Sequence, residues 1–254
     1  PLYTYVLTAS EYGVVDLVVT VGTVAIPILT LNISEAVMRF ALDKDADKEK
    51  ITQIGTGILL IGILVGLLIF PVCGFFNKIS QYSAYIYFYV ISLATSQLYL
   101  CDLRGKELLI YYSIGNVLNT FFIAVLNIVF LLVLKEGIEG YLKAYIIANA
   151  LTAIYAIIAG KGYRSFYPLR IDKKLLLQMV EYSIVLIPNS FMWWIMNSSD
   201  RIMVSGMVSV AANGIYAVSY KLPTLVSTLT TIFNQAWSYS AIREEGTADE
   251  GEYN

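Results

Sequence analysis

Apolar residues run in long blocks along this chain, separated by short breaks marked by charge, glycine or proline. The blocks cover residues 13 to 41, 52 to 76, 82 to 101, 107 to 134, 138 to 160, 175 to 200 and 211 to 240. Each supplies the roughly 20 residues that an α-helix needs to cross a ~30 Å hydrocarbon layer. Seven transmembrane helices are therefore expected. No block alternates apolar and polar positions as a membrane β-strand would, and the run from Ile58 to Phe70 is apolar on all sides.

Composition agrees. Of 254 residues, 57% are hydrophobic and 14% are charged, with a mean hydropathy of +0.67, whereas charged residues make up about a quarter of soluble domains. A water-soluble fold cannot hide that much apolar surface. Twelve of the 17 Lys and Arg residues fall in alternate breaks, at 39 to 50, 102 to 106, 161 to 174 and 241 to 254, which places those breaks in the cytoplasm. The opposite breaks carry only Lys78, Lys135, Lys143 and Arg201, with Lys221 inside the last block, so residue 1 is expected outside. The chain begins with Pro1 rather than Met and shows no basic flank or small-residue cleavage site of a signal peptide. A truncated start is expected, and the acidic run at 241 to 254 looks like the opening of a loop with more chain to follow.

Polar residues within the blocks carry the functional information, because a central Lys, Arg or Asp costs roughly 2.5 to 3.5 kcal/mol on insertion scales and therefore faces protein or water. In the first block Asn32, Glu35 and Arg39 stack on one face. Two readings stay open there: an interfacial Glu35–Arg39 ion pair with Asp16 alone among headgroups, or a functional stripe. The fourth block carries Ser113, Asn116, Thr120 and Asn127 with Asn119 beside them, a pattern that either lines a cavity or joins helices by hydrogen bonds. Ser183, Ser190, Trp194, Asn197 and Arg201 share a face of the sixth block, which Pro188 interrupts. In the last block Lys221, Thr224, Thr228, Thr231, Gln235 and Ser238 step by three and four residues. That stripe is either a hydroxyl-rich packing face with a snorkelling lysine or the wall of a hydrated cavity where Lys221 offers positive charge to an anion. Pro27, Pro71, Pro188 and Pro223 mark possible bends.

Several function classes drop out. The net charge of -2 offers no field for nucleic acid, and the absence of His removes His-based catalysis and the usual zinc sites. Cys73 and Cys101 form no CxxC and are expected to be packing residues. No GxSxG, HExxH or Walker-type GxxxxGK[ST] string occurs, so neither a catalytic set, a metal site nor a cofactor is expected. Asp16, Glu35 and Glu181 are the acidic candidates for ion coupling.

Taken together, SEYGVVDLVVT at 10 to 20, LNISEAVMRFALD at 31 to 43, SDRIMVS at 199 to 205, GIYAVSYKLPTLVSTL at 214 to 229 and FNQAW at 233 to 237 resemble the polysaccharide biosynthesis flippases. These are the O-antigen, capsule or teichuronic-type exporters of the multidrug/oligosaccharidyl-lipid/polysaccharide superfamily. The resemblance implies an all-α polytopic bundle, a fragment of a two-lobed transporter of twelve to fourteen helices. Residues 1–160 would be the N-terminal lobe with its first helix largely missing, 161–174 a cytoplasmic linker, and 175–254 the first two helices of the second lobe with the start of a cytoplasmic loop. The implied cargo is a polyprenyl-diphosphate-linked glycan, exported by alternating access across a bacterial plasma membrane. Membrane lipids and polysaccharide polymerase machinery are the other implied partners. Basic residues that contact the diphosphate in relatives match Arg39, Arg201 and Lys221, and the stripes add Glu35, Asn197, Thr224, Thr228 and Gln235 as substrate-binding candidates. Asp200, next to Arg201, is expected to compete for that charge. The alternative, a cation-coupled multidrug exporter of the same superfamily, would want an acidic cavity, and Lys221 argues against it.

Overall fold

The computed structural model describes residues 2–43, 45–69, 80–166, 172–221, 223–224, 226–230 and 233. Every regular element among them is helical: α1 (Leu2–Val6), α2 (Ala9–Leu29), α3 (Ile33–Ala41), α4 (Lys48–Ile69), α5 (Ser83–Gly105), α6 (Leu109–Asn127), α7 (Gly137–Ala159), α8 (Lys173–Met207) and α9 (Val210–Ser219). Six helices are long and apolar enough to cross a membrane. The protein is an all-α, multi-pass membrane bundle. Of the seventh expected block, α9 and the helical residues up to 230 are described, while Gln235, Thr231 and Ser238 lie outside the described residues, as do Cys73 and Pro71. The chain divides into two compact units, Pro1–Gly214 and Ile215–Asn254.

Boundaries depart from the hydrophobic blocks where side chains intervene. A capping box opens α2: Thr8 Oγ1 accepts from the Glu11 amide at 3.3 Å, and the Thr8 amide donates to Glu11 Oε2 at 2.8 Å. The first block, expected as one helix over 13 to 41, is two helices, because Leu31 and Asn32 take left-handed backbone angles (φ 51° and 56°). At the end of α2 the Ile26 carbonyl accepts both the Thr30 amide at 2.9 Å and Thr30 Oγ1 at 2.8 Å. Beyond Asn127, α6 passes into a π-helical turn, Ile128–Val133, whose widened ring is closed by the Leu134 amide on the Val129 carbonyl at 2.9 Å.

Helix α5 is the centre of the first unit and packs against α2, α3, α4, α6 and α7. Glycine allows the closest approaches. A Cβ on Gly62 of α4 would lie 2.2 Å from the Leu29 carbonyl oxygen at the end of α2, and one on Gly105 would lie 2.8 Å from Ala41 Cβ. Near the start of α2 a tyrosine cluster joins four helices, with Tyr3–Tyr12 centroids at 6.3 Å, Tyr3–Tyr141 at 5.1 Å, Tyr141–Tyr145 at 4.6 Å and Tyr89–Tyr145 at 6.4 Å. These tyrosines pack on one another between helices. In the most apolar stretches of α6 and α8 only 11% of residues are buried, against 39–50% in the other spans, so these two helices present broad apolar surface outward.

Candidate functional site

The polar stripe on α8 meets α2 and α3 along its length. From one end to the other, Tyr182 stacks edge-on against Phe40 at 6.0 Å, Ser190 Oγ accepts from Asn32 Nδ2 at 3.0 Å, and Trp194 Nε1 donates to the Thr20 carbonyl at 3.1 Å. The Arg201 guanidinium pairs with Asp16 at the far end. Ser190, Trp194 and Arg201 share one helical face, the spacing that marked them in the sequence. In this structure that face is a helix-to-helix seam. Ser183 continues it and is wholly buried, its hydroxyl without a hydrogen-bond partner among the described residues.

Asp16 corrects an expectation. It does not sit alone among headgroups: it is 8% exposed, and its two carboxylate oxygens take different partners. One accepts from Arg201, and the other accepts from Asn213 Nδ2 at 3.3 Å. Asn213 is fully buried and also donates to the Gly13 carbonyl at 3.3 Å, while its Oδ1 has no partner among the described residues. A Cβ on Gly13 would fall 2.0 Å from the Val210 carbonyl oxygen, and one on Gly214 would fall 1.9 Å from that of Ala9. Here α2 and the start of α9 touch backbone to backbone. Asp200, the expected competitor for Arg201, accepts the Arg201 backbone amide at 3.0 Å. The guanidinium's partner comes from 185 positions earlier in the chain.

The remaining predicted residues distribute as follows. Arg39 does not pair with Glu35; it pairs with Asp43 at 3.0 Å on an open surface, where such a bond is worth about 0.2–1 kcal/mol. Glu35 is half-buried on α3 and forms no ion pair among the described residues. Asn197 is half-buried and donates to the Trp193 carbonyl of its own helix at 2.8 Å. In the second unit Lys221, Thr224 and Thr228 are exposed helical residues. The threonine hydroxyls donate back to Tyr220 and Thr224 carbonyls, each at 2.8 Å. In the first unit, at the start of α4, the Lys50 side chain holds the Asp47 carboxyl below its ordinary range.

A second polar centre escaped the sequence reading. The segment 102 to 106, expected as a loop, is the last turn of α5, and Asp102 there is fully buried. It accepts from the Thr52 hydroxyl of α4 and from Lys106 Nζ at 2.6 Å, and the same ammonium donates to the Gly160 carbonyl at the end of α7 at 3.0 Å. Tyr99 and Thr56, one turn away, bond at 3.1 Å. The available signal was an acid four residues before a lysine, a spacing that makes helical neighbours. Asn119, noted only as lying beside the α6 stripe, is the residue that joins helices, donating to Asn149 Oδ1 at 3.1 Å and Thr152 Oγ1 at 3.0 Å. Asn116 and Thr120 bond their own helix.

A groove of about 240 Å³ lies between α2, α4 and α5, lined by residues including Val21, Ala25, Ile28, Tyr87 and Val90. Apart from Ser83 and the Tyr87 hydroxyl its lining is apolar and suits hydrocarbon. Of the three cations singled out in the sequence, Arg201 lies in the seam, Arg39 on α3 and Lys221 in the second unit. Among known proteins, the family model described as "Polysaccharide biosynthesis protein" matches residues 1–239. No curated protein and no solved structure matches the chain.

Proposed function

The chain belongs to the polysaccharide biosynthesis protein family, and from that premise we propose that it exports polyprenyl-diphosphate-linked oligosaccharide units across the bacterial plasma membrane. The observation that carries the reading is the family match over 1–239 on a chain whose described residues form six membrane-length helices. A membrane-helix bundle of this family is a transporter-like protein. In our reading it performs no covalent step: it lowers the barrier to moving a charged sugar headgroup through hydrocarbon, where an unpaired ion is prohibitively costly.

In the proposed mechanism the Lys- and Arg-rich helix ends face the cytoplasm, so the Ala9 end of α2 and the Met207 end of α8 face outward. Residues 1–160 and 175–254 belong to opposite lobes that rock around the headgroup. Lys221, Arg201 and Arg39 replace water around the diphosphate with charge-assisted hydrogen bonds. Glu35, Asn197, Thr224, Thr228 and Gln235 supply polar contacts to the sugar. The apolar exterior keeps the lipid tail in the bilayer, and polysaccharide polymerase machinery takes the delivered unit.

The test is export of lipid-linked oligosaccharide in cells expressing the full-length gene product, with wild type and Lys221→Ala at equal membrane abundance. Loss of export with accumulation of the lipid-linked unit on the cytoplasmic face is the expected result for Lys221→Ala. Unchanged export would remove Lys221 from the path. A wild type that exports no such unit but extrudes cationic drugs would replace this reading with that of a multidrug exporter.

A further inference from the structure

We propose that Asp16 is a positioning residue that holds Arg201 until a diphosphate takes it, so that arrival of the headgroup itself unlocks the α2–α8 seam. This rests on the flippase reading for the identity of the anion. The geometry supplies the rest. Arg201 and Asp16 are both largely withdrawn from solvent, with side chains 21% and 9% exposed, and both lie within membrane-length helices. A guanidinium presents a planar fork of donors, and diphosphate offers it more charge and more acceptor oxygens than a carboxylate does. The two anions compete for one cation.

Exchange has a consequence that simple binding lacks. Once Arg201 turns to the diphosphate, Asp16 loses its cation while it is still buried beside the close backbone approach at Gly13 and Gly214. A buried carboxylate stripped of its cation is strongly unfavourable, so water must reach it, and α2 must part from α8 and the start of α9. Asn213 Oδ1, buried without a partner among the described residues, gains a water donor when that happens. The closed seam thus leaves one acceptor unpaid that opening satisfies. With the Ala9 end outward, the headgroup opens its own exit.

Trp194 is a built-in reporter, since its indole bonds to Thr20, one turn from Asp16. In the full-length protein carrying Trp193→Phe and Trp237→Phe, inorganic pyrophosphate is expected to red-shift Trp194 emission, with sulfate at matched ionic strength as control. Asp16→Asn should lower the half-saturating pyrophosphate concentration about tenfold, in the range of ordinary coupling between sites. Asp16→Glu should restore the wild-type value, and Arg201→Gln should abolish the response. Asp16→Ser serves if Asp16→Asn fails to fold. No pyrophosphate response in wild type, or a half-saturation that Asp16→Asn and Asp16→Ser leave unchanged, would overturn the exchange even in a protein that exports. The exchange signature in a protein that exports no lipid-linked glycan would support it for diphosphate binding while retiring the flippase reading.

Discussion

Asp102 shows how much a single buried charge can hold. One carboxylate ties α4 through Thr52 and, through Lys106, the end of α7, with Lys106 only 13% exposed. Removing one partner leaves the other charge buried alone, which costs about 3–5 kcal/mol, whereas replacing both with apolar side chains of similar size is often neutral. Asp102→Asn is therefore expected to lower the midpoint of thermal unfolding in detergent markedly, and Asp102→Met with Lys106→Met to recover most of the loss. Equal melting of the single and double variants would show that the pair holds nothing. Periodicity placed Arg201 and Trp194 correctly on one face of α8, but it could not name the helix that face meets. For the same reason Asp16 looked solitary: its partners lie 185 and 197 residues away, a separation that no local pattern records.

At the scale of the element, helices were legible wherever apolar runs were long, because lipid requires every backbone group to bond within its own segment. The boundaries were less so. Nothing in LNIS at 31 to 34 announces a break, since neither Gly nor Pro stands there and the apolar run continues through it. The structure uses Asn32 in the left-handed region, which asparagine tolerates and β-branched residues do not. Asn32→Gly is expected to keep the α2–α3 break at the cost of the Ser190 hydrogen bond alone. Asn32→Val adds backbone strain of roughly 1–3 kcal/mol. A Val variant as stable as the Gly variant would mean that α2 and α3 can run as one helix. The end of α5 was misplaced for the opposite reason: charged residues at 102 to 106 looked like a loop, although their polar groups are satisfied inside the bundle.

For the whole molecule, the charge asymmetry of the helix ends makes a prediction that needs no substrate. In a protein carrying Cys73→Ser and Cys101→Ser, Glu107→Cys lies between α5 and α6, and Lys135→Cys lies between α6 and α7. A membrane-impermeant thiol reagent applied to intact cells should modify Cys at 135 and spare Cys at 107 until the membrane is opened. The reverse pattern would invert the proposed orientation and turn the Asp16 end toward the cytoplasm. That the chain is built of membrane-length helices was readable because the bilayer imposes apolar runs residue by residue, whereas the pairing of helices depends on contacts that only the folded chain creates; six such helices are described where seven blocks were expected, the seventh lying partly outside the described residues. One local feature bears on how such a chain tolerates changes in its length. Only residues 134 to 136 join the π-helical turn Ile128–Val133 to α7, so the connection has no slack of its own. The wide turn stores one surplus residue. Deleting a residue there would relax it to ordinary α geometry and leave α7 at its depth, while the same deletion inside α5 would rotate everything beyond it by about 100° and shift it by about 1.5 Å. Gaps among natural variants of this protein should therefore collect in that turn.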